Sequence, residues 1–243
     1  EYGDFTGGVI SITTANPSSE FSGNLELVTS QYLDNFGRNL GAFSLSGPLV
    51  TRRAFIENTQ TEYKTSVLGF FVSGEVVYNG DQAPAALGIN RLRDGLLDSL
   101  EQNPVRLSDD NISFRSNANF IRGNDIVTIP TKQNNQGLRG RGLVRFDFQP
   151  TNNILVKLGG NYEAIQNDRW GIASTLFSPD QNAVFRGNNY RIWSRFQQSF
   201  PGSEGSSIRN LYYSVQADFS RYSRFFEHET FRDNFFDYGY VGK

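Results

Sequence analysis

Between residues 67 and 78 the side chains alternate. Leu68, Phe70, Val72, Val76 and Tyr78 fall on one side of an extended chain, and Gly69, Phe71, Ser73 and Glu75 on the other. The same period of two recurs downstream. Over 139–149, Val144, Phe146 and Phe148 oppose Arg139, Arg141, Arg145 and Asp147. Over 154–163, Ile154, Val156, Leu158 and Tyr162 oppose Lys157, Asn161 and Glu163. Over 190–198, Tyr190, Ile192 and Phe196 oppose Arg191, Arg195 and Gln197, with Trp193 out of place on the polar side. Over 209–220, Leu211, Tyr213, Val215, Ala217 and Phe219 oppose Tyr212, Ser214, Gln216 and Asp218. Weaker alternation marks strands at 22–31 and 39–46, and another is expected to begin at 235–242.

The connections between these strands differ in length. The Pro- and Asn-bearing segment 149–153 is a short turn, and 200–207 is another. Segments 79–138 and 167–189 are long, and 221–234 is expected to be a third long connection. The segment 47–64 also reads as a long connection, at the end where the others are short. Inside the longest one, Leu92, Leu96, Leu97 and Leu100 recur at helical spacing, so a helix is expected over 90–103, stopped by Pro104. No helices separate the strands, which argues against a parallel β-α-β architecture.

The alternation has two readings. In a soluble sandwich the apolar faces meet a core and the polar faces meet water. In a membrane barrel the apolar faces meet lipid and the polar faces meet a water-filled or plugged lumen. Charges of both signs at mid-strand and aromatics toward the strand ends (Tyr78, Phe148, Tyr162, Tyr190, Phe219) fit the barrel, and a sandwich accommodates them too.

Composition narrows the chemistry. The 243 residues include no Cys and one His, which excludes a disulfide framework and any Cys-based metal site. That His228 lies between Glu227 and Glu229, which project from alternate faces of an extended chain and do not converge on a metal. A net charge of −2 offers nothing to nucleic acid. Mean hydropathy is −0.46, and the apolar run at 67–72 is far shorter than the roughly 20 residues of a membrane helix. The 21 Phe and 11 Tyr beside 24 Gly suit a many-stranded β-protein. No nucleotide loop or catalytic constellation is present in the sequence, so an enzyme is not expected. With no Met in the chain and no signal-peptide pattern, residue 1 is expected to lie inside a longer protein.

The opening stretch EYGDFTGGVISITT resembles the segment that closes the plug domain of TonB-dependent outer-membrane receptors. Tyr2, Gly3, Gly7, Gly8 and Val9 carry the likeness, followed by a short strand to Thr14. SGPL at 46–49, GFFVSGEV at 69–76 and the closing YGYVGK are similar to SusC-like members of the group. The resemblance implies an all-β fold, part of a large antiparallel transmembrane β-barrel with the C-terminal end of a plug domain. Residues 1–18 would end the plug, and 19–243 would supply roughly seven to eight strands of a barrel of about 22.

That membership implies a receptor importing a nutrient or chelate across the Gram-negative outer membrane. Its partners would be outer-membrane lipid, the energy-coupling TonB complex through a preceding segment, a SusD-like surface lipoprotein, and a small-molecule, glycan or peptide ligand. No cofactor is implied. Arg141, Arg145, Asp147, Lys157, Glu163, Arg191, Arg195 and Asp218 are the residues expected to face the lumen. They would contact a plug or substrate, or else simply pair with one another. Phe114, Phe120, Trp170, Phe177 and Phe185 in the long connections could stack on sugar rings. Two other readings stand beside this one. One is a receptor-like barrel that is a subunit of an outer-membrane assembly and does not transport. The other is a soluble β-sandwich binding module, which would hold Phe70, Val144, Phe146, Ile154 and Val215 in a dry core.

Overall fold

The computed structural model describes residues 18–56, 61–178, 182–202, 211–228, 231–232 and 234. Tyr2, Gly3, Gly7, Gly8 and Val9, and the strand expected at 235–242, lie outside the described residues.

Long alternating segments pair into one antiparallel sheet. In chain order the strands are β1 (Ser22–Thr29), β2 (Asn39–Ile56), β3 (Thr61–Asn79), β4 (Ile89–Leu92), β5 (Val105–Leu107), β6 (Phe114–Ser116), β7 (Ile126–Ile129), β8 (Gly137–Thr151), β9 (Ile154–Asp168), β10 (Ala183–Phe200) and β11 (Leu211–His228). The seven-stranded sheet runs β1-β2-β3-β8-β9-β10-β11, so each strand pairs with its neighbour in the chain apart from one excursion between β3 and β8. The protein is all-β, with strand over 63% of the described residues.

Prolines sit where a ladder tolerates a missing N–H. Pro48 borders a register shift in β2, and Pro150 lies in the bulge that ends β8. Arg52 Nη1 donates to the Pro150 carbonyl at 3.1 Å, tying the two irregularities together.

Several strands are longer than the alternation suggests. The long connection expected at 47–64 is instead paired strand: past the register shifts between Pro48 and Thr51, β2 and β3 stay paired to Ile56↔Thr61, leaving only 57–60 between them. Their outer halves lack a clean apolar face, so periodicity is silent there while backbone pairing continues. For the same reason β11 runs through the expected connection 221–234 as far as His228, and β10 begins at Ala183 inside the expected connection 167–189. The strands join at 57–60, 152–153 and 201–210 at one end of the sheet, and at 30–38, 80–136 and 169–182 at the other.

The excursion is not one helix-bearing loop. Of the helix expected over 90–103 only Leu96–Gln102 forms (α1), its start set by Gly95 at φ 77°, and two short 3-10 turns follow at Asn117–Phe120 and Gly123–Asp125. The first part of the expected helix is β4, paired with β7 from Ile89↔Ile129 to Leu92↔Ile126, which buries Leu92. Leu92 thus serves a small two-stranded sheet, which the helical spacing of the leucines conceals. A second hairpin, β5–β6, hangs beyond it.

The large sheet has no second layer among the described residues. Phe70, Val144, Phe146, Ile154 and Val215 form no dry core, and Val144 and Val215 are 40% and 61% exposed. The expectation attached to a soluble sandwich is therefore not met.

Candidate functional site

Register decides which side chains share a face. Phe71, Arg145, Gly159, Trp193 and Asp218 lie in one row across β3, β8, β9, β10 and β11. Asp147, Lys157 and Arg195 form the next row on the same side, and Glu75, Arg141 and Glu163 lie beyond. With Arg191 in the row between, all eight residues expected to share a polar face do share one. The opposite face carries rows such as Val72–Val144–Gly160–Ile192–Phe219 and Leu68–Phe148–Val156–Phe196–Val215.

The polar face is a ladder of pairs. Arg145 is clamped by Asp147, with Nε to Oδ1 at 2.7 Å and Nη2 to Oδ2 at 2.8 Å, and Lys157 Nζ stands 3.8 Å from the same carboxylate. Arg141 reaches Glu163 at 3.0 Å and Glu75 at 3.6 Å, while Arg139 approaches Glu163 at 3.8 Å. Arg191 pairs with Asp218 at 2.5 Å, and Arg195 donates to Ser214 Oγ at 3.1 Å. Trp193 belongs on this side: its indole lies across Gly159, where a Cβ would collide with the ring. The misfit in the alternation is an aromatic ring covering a strand glycine. The mid-sheet charges are therefore largely satisfied by each other.

The open end of the sheet is organised by Asp81, which is 4% exposed. Its Oδ1 accepts from Ala83 N at 3.0 Å and Asn135 Nδ2 at 2.6 Å, and its Oδ2 accepts from Lys132 N at 2.8 Å. Its own N–H donates to Phe36 O at 3.1 Å in the β1–β2 connection. Gln82 Nε2 donates to the Gln136 carbonyl at 2.7 Å and the Asp168 carbonyl at 3.3 Å. Lys132 Nζ sits 4.8 Å from the Trp170 ring centroid. The roots of three connections are thus joined at one place. Farther out, Asp110 caps its own turn: the Ser113 and Ile112 amides, then the Ser113 hydroxyl, hold its carboxyl below the usual range.

A second cluster sits at the same end, on the polar face. Phe185 and Phe226 rings are 5.1 Å apart, and Arg169 and Arg224 both lie over Phe226. The alternation gives no sign of it, because Tyr222, Arg224 and Phe226 fall in one expected connection and Phe185 in another. The signal in the sequence is faint: RYSRFF places an aromatic and an arginine on each parity, so neither face looks apolar. Of the aromatics expected in connections, Phe120 lies under the Arg106 guanidinium and Phe114 is exposed on β6.

Among the described residues no group of three or more His, Asp or Glu side chains is placed to hold a metal ion. No helix of the described chain is long and apolar enough to cross a membrane, which says nothing of strands. Compared with family models, curated proteins and solved structures, the chain gives no match.

Proposed function

We propose that the sheet is a wall segment of a transmembrane β-barrel in a Gram-negative outer membrane. Lipid covers its apolar face, its polar face lines the lumen, and the protein is a receptor of the TonB-dependent kind that imports a nutrient or chelate. The observation that carries this reading is the bare apolar face of a long single-layer sheet, limited in height. On β8 it runs from Leu138 to Phe148, where Gln149 and Pro150 end it. That is about 33 Å along the strand, and about 25 Å along the axis of a barrel whose strands tilt by about 40°, the height of a hydrocarbon band. On β9 it runs from Ile154 to Ala164 and on β11 from Leu211 to Phe219, where Gln166 and Arg221 end it. The strands themselves continue past the band. Tyr78, Tyr162, Tyr190 and Phe219 stand near one rim, and Phe148, Phe196 and Tyr213 near the other, as interfacial aromatics do.

The long connection 80–136 at one end, against 57–60 and 152–153 at the other, supports the same orientation, with 80–136 outside the cell. Ligand capture would fall to those connections, and the paired charges at mid-sheet would face a plug. Import and the coupling complex rest on the resemblance of the opening segment, and a SusD-like lid on that of 46–49, 69–76 and the closing YGYVGK.

Single cysteines test the faces, since the chain has none of its own. Val144, Phe146 and Val156 are changed in one set, and Arg141, Arg191 and Arg195 in the other. The intact protein is then probed in outer-membrane vesicles. Lipid-soluble thiol reagents should label only the first set, and water-soluble reagents only the second. A first set that reacts readily with water-soluble reagents would sink the membrane reading.

A further inference from the structure

The cations of the polar face divide into two populations. Arg139, Arg141, Arg145, Lys157 and Arg191 each have a carboxylate within ion-pair distance. Toward the end that bears the long connections this changes. Outward of the row Glu75–Arg141–Glu163, the polar-face positions of β3, β8, β9, β10 and β11 carry no further carboxylate among the described residues. They carry Arg139, Arg224, Phe185 and Phe226, and Arg169 joins them from the connection after β9.

Arg169 and Arg224 have no carboxylate partner among the described residues. Their guanidinium carbons lie 5.2 Å and 5.8 Å from the Phe226 ring centroid, and Arg224 is also 5.9 Å from Tyr222. Phe226 is steadied by Phe185 and remains 55% exposed. Ring contact holds a guanidinium in place through its face while leaving its N–H edge free. Two such edges beside exposed rings, where the polar-face strand positions carry no carboxylate among the described residues, form a receptor for an anion attached to an apolar or flat body.

We infer that Arg169 and Arg224, positioned by Phe226 and Tyr222, bind the carboxylate or phosphate of an organic anion at the mouth of the polar face. The ligand's body lies on the exposed rings. This rests on the proposed receptor reading only in naming that anion as the imported solute; the binding site itself does not depend on it. The charges deeper on the face are held by carboxylates or, at Arg195, by the Ser214 hydroxyl, and contribute little to the first capture.

The test uses the full chain purified in a zwitterionic detergent, titrated calorimetrically with citrate and pyrophosphate as probes and glucose as the neutral control. At least one anion should bind, with affinity falling as salt rises, and glucose should not. Arg169→Gln and Arg224→Gln should each weaken that binding by about fivefold or more. Arg224→Lys should fall between, because it keeps the charge and loses the planar fork. Arg195→Gln, on the same face but away from the mouth, should bind like the unmodified protein. Anions that bind no better than glucose, or glutamine variants that bind undiminished, would overturn the inference.

If the glutamine variants fail to fold, arginine modification by phenylglyoxal answers on the unaltered chain. Citrate or pyrophosphate should shield Arg169 and Arg224 and leave Arg195 reactive; equal reactivity with and without anion overturns the site. The two readings separate cleanly. Anion binding together with a water-reactive apolar face removes the barrel and keeps the site. A lipid-reactive apolar face without anion binding removes the site alone.

Discussion

Arg145 and Arg141 stand four residues apart on one strand and one face, yet their surroundings differ. The Arg145 side chain is 5% exposed and held by both oxygens of Asp147, while that of Arg141 is 50% exposed and shared between two glutamates. A shielded fork that loses its arginine leaves a carboxylate short of donors. An exposed pair that loses one member is compensated by water. Arg145→Ala should therefore cost roughly 2–4 kcal/mol, less than a fully isolated buried charge because Lys157 remains nearby. Arg141→Ala should cost about 1 kcal/mol or less. Urea unfolding of the membrane-inserted protein measures both, and equal midpoints would contradict the difference in shielding. Residue parity is legible in the sequence alone: one count along β8 puts Arg141, Arg145 and Asp147 together. The pairing of Trp193 with Gly159 is not, because it depends on which residue of β9 lies opposite β10, and nothing local in either strand fixes that register.

At the scale of elements, the alternation reveals the sheet wherever one face stays apolar, and cuts its strands short wherever both faces are mixed. That is why β2, β3, β10 and β11 extend past the ends their side-chain pattern suggests. Backbone hydrogen bonds continue after the hydrophobic signal stops, as in the paired stretch from Arg52↔Thr65 to Ile56↔Thr61. Asp81 is equally hidden in the sequence. One acidic residue in a polar connection looks like any other until the Ala83, Lys132 and Asn135 donors converge on it. Its removal tests whether the connections are held together. Asp81→Ala leaves three donors without their acceptor in a shielded place, while the strands of the sheet are untouched. Local opening of 83–134 should rise by about tenfold, the ratio that corresponds to about 1.4 kcal/mol, without global unfolding. Trypsin has sites there at Arg91, Arg93, Arg106, Arg115, Arg122 and Lys132. Cleavage in this segment should quicken, and the sheet's own urea midpoint should stay unchanged. A midpoint that falls in step with cleavage would mean that the excursion and the sheet unfold as one unit.

The whole molecule poses a solvation problem: one face of a seven-stranded sheet is apolar across its width and, among the described residues, has no layer over it. In water such a face would drive association, and edges at β1 and β11 that pair with no other strand among the described residues would add to the hazard. In hydrocarbon it needs no cover, because every strand between the edges already has its backbone paired. The two environments predict different costs for one substitution moved along a single strand. Arginine at Val144, midway along the apolar stretch of β8, should destabilise the membrane-inserted protein by about 2–4 kcal/mol. Arginine at Leu138 or Phe148, at either end of that stretch, should cost about 0–1 kcal/mol, since the side chain reaches the interface. The gradient is the informative quantity, because single values vary with local packing. A face that meets water would show no dependence on position, and a face buried against protein would follow side-chain volume instead, with Phe148 costing more than Val144. Reversible unfolding from lipid vesicles gives all three values in one series. A cost that peaks at Val144 and falls toward both Leu138 and Phe148 also measures the thickness of the layer covering the sheet, for comparison with the roughly 25 Å of an apolar barrel band.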